Sequence, residues 1–591
     1  MRRRAAVRVV AIGAVAAFAV AACGGGGGGD DDRAEISNAA AEDVVRPTDE
    51  KGGTLRFALS DDFDSIDPGN TYYAFSNNFL RNYARPLMTY APKPGEEGLK
   101  PVPDLAEAPG EPTDGNKTWT YKLREGLKYE DGSAIKAEDV KYAVARTFDR
   151  EVLPNGPAYF TQLLVGAGEY KGPYKDKNLD GWKGITTPDD RTVVFHLNDP
   201  FSEFNELVMF SGQTAPVPPD KDEGKKYQDH PISSGPYMWE GDYEPGKGGS
   251  MVRNPHWDAS TDPNRKALPD KITIQAGVDA NEVDNRLFSG DIEMDLAGSG
   301  VQENARKTIV TNQDRADNAD SILAGFHWYI PINSKTIPNV ECRKAIVYAA
   351  DRDAIWRAFG GDLGGEFATT IMPPNIAGRE APENMYAFDD ELKASELKPG
   401  YKGDVEKAKA ALEKCGKPDG FDTTMLFRSD RPKEKDVAEA MQQGLKRVGI
   451  DLKLKGYPAG TYTNEQLGAP SFVKKNNVGL GTYGWAPDWP TGYGYLQPLT
   501  DGDAILDRGN TNISEVDIPE INKMWDEVVK IEDPAEREKI YNEIDRKVLE
   551  QALILPTVYA KSLLFRPENA TNVYFHQGFG MYDYANMGVA E

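Results

Sequence analysis

The chain has 591 residues, 94 acidic against 69 basic side chains, and a net charge of −25. That length exceeds what a single hydrophobic core sustains, so two or more lobes are expected. A field this negative repels nucleic acid and anionic lipid headgroups, which argues against either as a partner of the folded body.

The N-terminus carries Arg2, Arg3, Arg4 and Arg8, and residues 9–20 are small and apolar. A basic start, a short apolar run and small residues before a cut describe an export signal, here residues 1–22. The run is too short to cross a bilayer core of about 30 Å as a helix. Cys23 follows Val20, Ala21 and Ala22 directly and precedes six glycines. This arrangement resembles the lipobox of bacterial lipoproteins. The resemblance implies that the Cys23 thiol takes a diacylglycerol and becomes the new N-terminus, anchoring the chain outside the cytoplasm. Residues 24–50 are Gly-rich and acidic and are expected to form a flexible tether.

Residues 53–59 (GTLRFAL) alternate as a strand, and residues 72–85 read as a helix rich in aromatics and asparagine. Strands are expected at 118–123 and 192–197, with an amphipathic helix at 136–150 between them. Further on, helices are expected at 341–359, 405–414 and 436–448, and strands at 423–427, 450–454 and 478–483. Strands alternating with helices point to α/β lobes. Cys342 and Cys415 form an even pair in an exported chain and are expected to be joined by a disulfide.

Catalytic signatures are missing: the sequence has no H-E-x-x-H, G-x-S-x-G or G-x-x-x-x-G-K-[ST] pattern. His196, His230, His256, His327 and His576 are too dispersed for a metal site, and no cofactor is expected. The stretch Asp176, Asn178, Asp180, Gly181 matches half of a calcium loop but has Thr187 where a bidentate Glu belongs, so it reads as a polar turn.

Four motifs in order resemble the extracellular solute-binding proteins of peptide-type ABC importers, family 5. They are residues 123–132 (LREGLKYEDG) with 136–140 (KAEDV), 234–237 (SGPY) with 253–255 (RNP), 343–351 (RKAIVYAAD) and 444–450 (GLKRVGI). One departure is Ser233 and Ser234 where the family has Gly and Thr, at a turn. The resemblance implies an α/β, two-lobed periplasmic-binding-protein-like fold (type II, cluster C). Lobe I would be residues 51–325 with an extra subdomain at about 90–215, lobe II residues 326–555, and residues 556–591 would return to lobe I. It implies a monomeric, non-enzymatic binder that closes on a peptide and delivers it to the permease and ATPase subunits of an importer.

Burying a peptide requires a fixed acid for its ammonium and a fixed base for its carboxylate. Residues 484–488 (GWAPD) resemble the family's G-W-x-x-D motif, which assigns the ammonium to Asp488. Arg428 stands 21 residues before Gly449, the spacing of dipeptide binders, and is the candidate for the carboxylate, with Arg431 as its rival. The family's other arginine position, three residues before the Trp, holds Thr482. Trp485, Tyr483 and Tyr73 are candidate pocket walls. Trp485 and Trp489 leave open an oligosaccharide ligand, and peptide sensing is open as a role.

Overall fold

The structure, a computed structural model, describes residues 33–210 and 212–590. The signal, Cys23 and the start of the tether lie outside the described residues. Residues 33–50 depart from the tether expectation: they are laid against the first lobe. Ala40 is fully buried and its N–H donates to Asp320 Oδ1 at 3.0 Å. Arg46 donates to the carbonyls of Ala570 and Pro567 at 2.8 and 2.6 Å, and Val45 bridges Val573. A polar, Ala-rich stretch without periodicity gains its order from partners more than 200 residues away, which local composition does not show.

The first lobe is built on a five-stranded sheet in the order Met294–Asp295, Thr54–Ala58, Lys271–Gln275, Gly248–Arg253, Tyr237–Trp239. Thr54–Ala58 lies parallel to both of its neighbours and sits centrally, so its alternating Leu55 and Phe57 are buried. Phe57 packs edge-on against Phe79 and Tyr584. A second sheet, in the order Glu111–Thr113, Thr118–Lys122, Thr192–His196, Ile185–Asp189, is antiparallel. The helix Ala137–Arg146 covers it with Val140 and Val144, and Trp119, Phe195 and Phe204 fill its core.

The second lobe holds a parallel sheet in the order Asp451–Tyr457, Asp422–Arg428, Val478–Gly481. The helices Val340–Ala349, Val405–Lys414 and Pro432–Lys446 pack around it. The single helix expected at 341–359 is two, Val340–Ala349 and Arg352–Ala358, because Asp351 accepts from Ala354 N–H and caps the second. The helix expected at 72–85 is confined to Ala74–Leu80. Cys342 and Cys415 are disulfide-bonded, 73 positions apart with Cα atoms 5.4 Å apart, joining one helix to the C-terminal cap of another. The calcium-like stretch is a turn in which Asn178 accepts from Gly181 N–H, and no metal-ligating cluster occurs among the described residues. No helix among them is long and apolar enough to cross a membrane.

Two long antiparallel strands, Ala319–Pro331 and Ile554–Phe565, join the lobes. Their outer ends, Ala319, Leu563 and Phe565, belong to a first-lobe core with Ala58 and Ile309. Their inner ends, Ile330, Leu555 and Val558, belong to the second-lobe core. Between Leu323 and His327 the ladder loses register at Gly325, whose φ is +73°. A side chain there would be strained, and its Cβ would stand 2.7 Å from Asn375 Nδ2. The pair has a second irregularity between Trp328 and Tyr329.

Candidate ligand-binding cleft

The short strand Tyr483–Trp485 pairs with the hinge strand, Trp485 opposite His327. The chain then leaves the sheet through Pro487 and Pro490 and enters the helix Gly492–Thr500, capped by Thr491, which accepts from Gly494 N–H. Trp489 holds this loop against the other lobe: it is 1% exposed, packs on Tyr159 and Phe201, and donates from Nε1 to Glu203 at 2.7 Å. Asp488 is thereby carried across the cleft to first-lobe side chains.

Both carboxylate oxygens of Asp488 accept tyrosine hydroxyls from that lobe. Tyr72 donates to Oδ1 at 2.6 Å and Tyr159 donates to Oδ2. Burial raises the Asp488 carboxyl above its ordinary value, and the two hydroxyls pull it back. No Lys or Arg among the described residues pairs with Asp488. Asp64 fixes the segment that carries Tyr72: it accepts from the backbone N–H of Tyr72 at 2.6 Å and from Ser76 Oγ at 3.0 Å.

The opposite sign is handled differently. Arg428, at the end of the strand Asp422–Arg428, donates from Nε to Glu434 Oε1 at 2.7 Å and forms a salt bridge with it. Glu434 is itself buried, and its other oxygen accepts from Arg428 N–H at 3.1 Å and from Thr482 Oγ1 at 2.7 Å. The guanidinium lies near the rings of Trp328 and Tyr462, at 5.8 and 5.7 Å. Its Nη1 makes no hydrogen bond among the described residues. Arg431 is exposed at the N-cap of Pro432–Lys446, and its side chain makes no ion pair among the described residues.

The family of bacterial extracellular solute-binding proteins, family 5, matches residues 100–506, more than half of the chain. The chain is a family 5 solute-binding protein. Members of this family are transport binding proteins, not enzymes. An oligopeptide-binding protein of Bacillus subtilis (strain 168) is 23% identical over 89% of this chain and 91% of its own length. A heme-binding protein A of Haemophilus influenzae is 24% identical over 79% of this chain and 80% of its own. Among solved structures, one titled "Clavulanic acid biosynthesis oligopeptide binding protein 2" is 39% identical. It covers 95% of this chain and 99% of its own, with a TM-score of 0.88.

Within this family 5 fold, the six candidate residues separate. Asp488 and Trp485 share the loop that crosses the cleft. Trp485 is half-buried, with its Nε1 enclosed and without a hydrogen-bond partner. Tyr483 is 7% exposed and packs edge-on against Tyr329, so it is core rather than wall. Burial pushes its hydroxyl up to about 12, against the opposing charge of Arg428. Tyr73 is 53% exposed and leans on Phe75 without touching Asp488. Its neighbour Tyr72 makes the contact instead, because successive side chains of an extended segment point to opposite sides. Trp489 is buried, which removes it as a stacking surface for sugar rings. Tyr159, from the short helix Tyr159–Leu163, was not foreseen; nothing in its local pattern sets it apart from other loop aromatics.

Proposed function

We propose that this chain captures peptides by their free α-ammonium at Asp488 and delivers them to the permease of an ABC importer. The observation that carries this reading is the Asp488 carboxylate: half-buried between two lobes, hydrogen-bonded by hydroxyls alone and without a cation. An unpaired carboxylate in such a place costs several kcal/mol, and an ammonium removes that cost. Each tyrosine hydroxyl donates to Asp488 and retains lone pairs that accept from the ligand N–H groups. An α-ammonium, with three N–H groups and a charge, suits this set of carboxylate and hydroxyl oxygens. An acylated amide has one N–H and no charge. The names of the Bacillus subtilis relative and of the 39% identical structure support peptides as the ligand class.

Closure would bring Tyr72 and Tyr159 of lobe I, taken as residues 51–325 and 556–591, onto Asp488 of lobe II, taken as residues 326–555. A ligand touching both lobes raises the closed population by its differential affinity. Arg428 or Arg431 would meet the peptide carboxylate. Cys23 would carry the lipid anchor that keeps the monomeric body at the outer membrane face, with the ATPase acting on the permease from the other side.

A thermal-shift screen tests this reading with di-, tri- and pentapeptides, their N-acetylated forms, and cello- and xylo-oligosaccharides. A ligand at 100 times its dissociation constant stabilises by about 2.7 kcal/mol. Shifts with free peptides alone are expected. Shifts with sugars alone would overturn the proposal.

A further inference from the structure

A cavity of about 810 Å³ lies between the lobes. Asp488 is not part of its lining and meets Tyr72 and Tyr159, whereas Pro490 and Thr491 of the same loop line the cavity. Leu99 and Glu206 come from the first lobe, Ile376 and Glu538 from the second, and Ile322 and Lys561 from the two hinge strands. The volume falls in the range of small-molecule sites, and the walls mix apolar surface with a few charged groups.

The charges in this cavity do not balance. Arg537, 4% exposed, is the one cation among the described residues that faces these two carboxylates, with Nε 3.5 Å from Glu203 and Nη2 3.9 Å from Glu206. Glu203 is satisfied without it, because Trp489 Nε1 and the Tyr541 hydroxyl donate to it, both at 2.7 Å, and Thr491 Oγ1 donates as well. Glu206 receives no side-chain hydrogen bond among the described residues, and Arg537 is too distant to give it one. Burial and the neighbouring Glu203 charge push the Glu206 carboxyl up to about 7. Glu538, which lines the same cavity without an ion pair, is also raised by burial. Lys561 is committed to Glu366 at 2.8 Å. Asn375 Oδ1 and Gln577 Oε1, on two further lining residues, are enclosed and have no hydrogen-bond partner.

We infer that this interlobe cavity binds a small organic cation, an ammonium or guanidinium on an apolar body, with Glu206 as its counter-charge and Glu538 as the second carboxylate. The apolar body packs on Leu99, Ile322 and Ile376. Because the walls come from both lobes and both hinge strands, the bound cation favours this spacing of the lobes. It is therefore coupled to ligand capture at Asp488, and the coupling is reciprocal.

The test is a calorimetric titration of the mature protein with 2-phenylethylamine and with agmatine. Saturable one-to-one binding of at least one probe is expected, weakened about ten-fold or more in Glu206→Gln through loss of a charge-assisted contact. Ala377→Trp, which fills the cavity without altering a carboxylate, is expected to abolish binding. This second variant decides the matter if Glu206→Gln fails to fold. No saturable binding of either probe, or undiminished binding in Ala377→Trp, would each overturn the inference.

Discussion

The two charged ends of the cleft are built on opposite plans. Asp488 is an anion given hydroxyl donors and no cation. Arg428 is a cation already neutralised by Glu434, which Thr482 and the Arg428 backbone hold in place. The contrast teaches that a residue of the right charge at the right spacing is a binding group only if its charge is left uncompensated. On the proposed reading, the acidic end is the one left open to a ligand. At the basic end, only the unbonded Nη1 of Arg428 and the exposed Arg431 remain to meet one.

Breaking the acidic end should have the largest effect. Asp488→Asn keeps the shape and removes the charge, and affinity for peptides with a free N-terminus is expected to fall roughly 100-fold, about 2.7 kcal/mol. Isothermal titration reads this directly. An unchanged affinity would mean that the ammonium is held elsewhere.

The pH dependence follows next. The Asp488 carboxyl is raised above its usual value by burial. Its contribution to the stability of the empty protein is thus present in acid and lost as pH rises through that raised value. Ligand capture has the opposite sign, because it needs the ionised form. Affinity is expected to fall as pH drops through the raised Asp488 value, before the ordinary carboxylate range near 4 is reached. The buried His327 and His576 are held down to about 3 and about 4 by desolvation. Their stability contribution is full above the unfolded value near 6.5 and is lost below it, by up to about 1.4 kcal/mol per histidine per pH unit. Melting curves of the empty protein separate the histidine effect from affinity: Asp488→Asn should flatten the affinity profile, remove the Asp488 contribution from the melting profile and leave the histidine contribution in place.

The basic end is sharpened by Glu434→Gln. With Glu434 neutral, the Arg428 charge becomes available, and preference for a peptide over its C-terminal amide is expected to rise about ten-fold. Arg428→Ala, in contrast, leaves the buried Glu434 unpaired and should destabilise the fold by about 3–5 kcal/mol. The affinity change in that variant should be no more than a few-fold. A larger loss of affinity than of stability would make Arg428 the carboxylate anchor despite its internal partner. The smallest effect is expected from Tyr72→Phe, which removes one hydroxyl from Asp488. It should change affinity by about three-fold or less while moving the pH midpoint of binding upward.

The fold was legible because its carriers are local and long: alternating strands such as Thr54–Ala58 and Asp422–Arg428, the amphipathic helix Ala137–Arg146, and four motifs in order. The disulfide was legible from parity and compartment. The Asp488 loop was legible from its motif. What escaped depends on the partner rather than on the residue. Whether Arg428 is available rests on Glu434 and on Thr482, 48 positions beyond Glu434. The choice between Tyr72 and Tyr73 rests on which side of an extended segment faces the cleft. The order of residues 33–50 rests on Asp320, Pro567 and Ala570, and Tyr159 reaches Asp488 across 329 positions.

The most direct measurement is a four-way calorimetric cycle, a tripeptide and its N-acetylated form against the wild-type chain and Asp488→Asn. The account predicts that acetylation and the substitution each cost roughly 100-fold and that the second change costs little once the first is made, a coupling of about 2–3 kcal/mol. Losses that simply multiply would contradict it, because they would show that Asp488 and the α-ammonium do not meet.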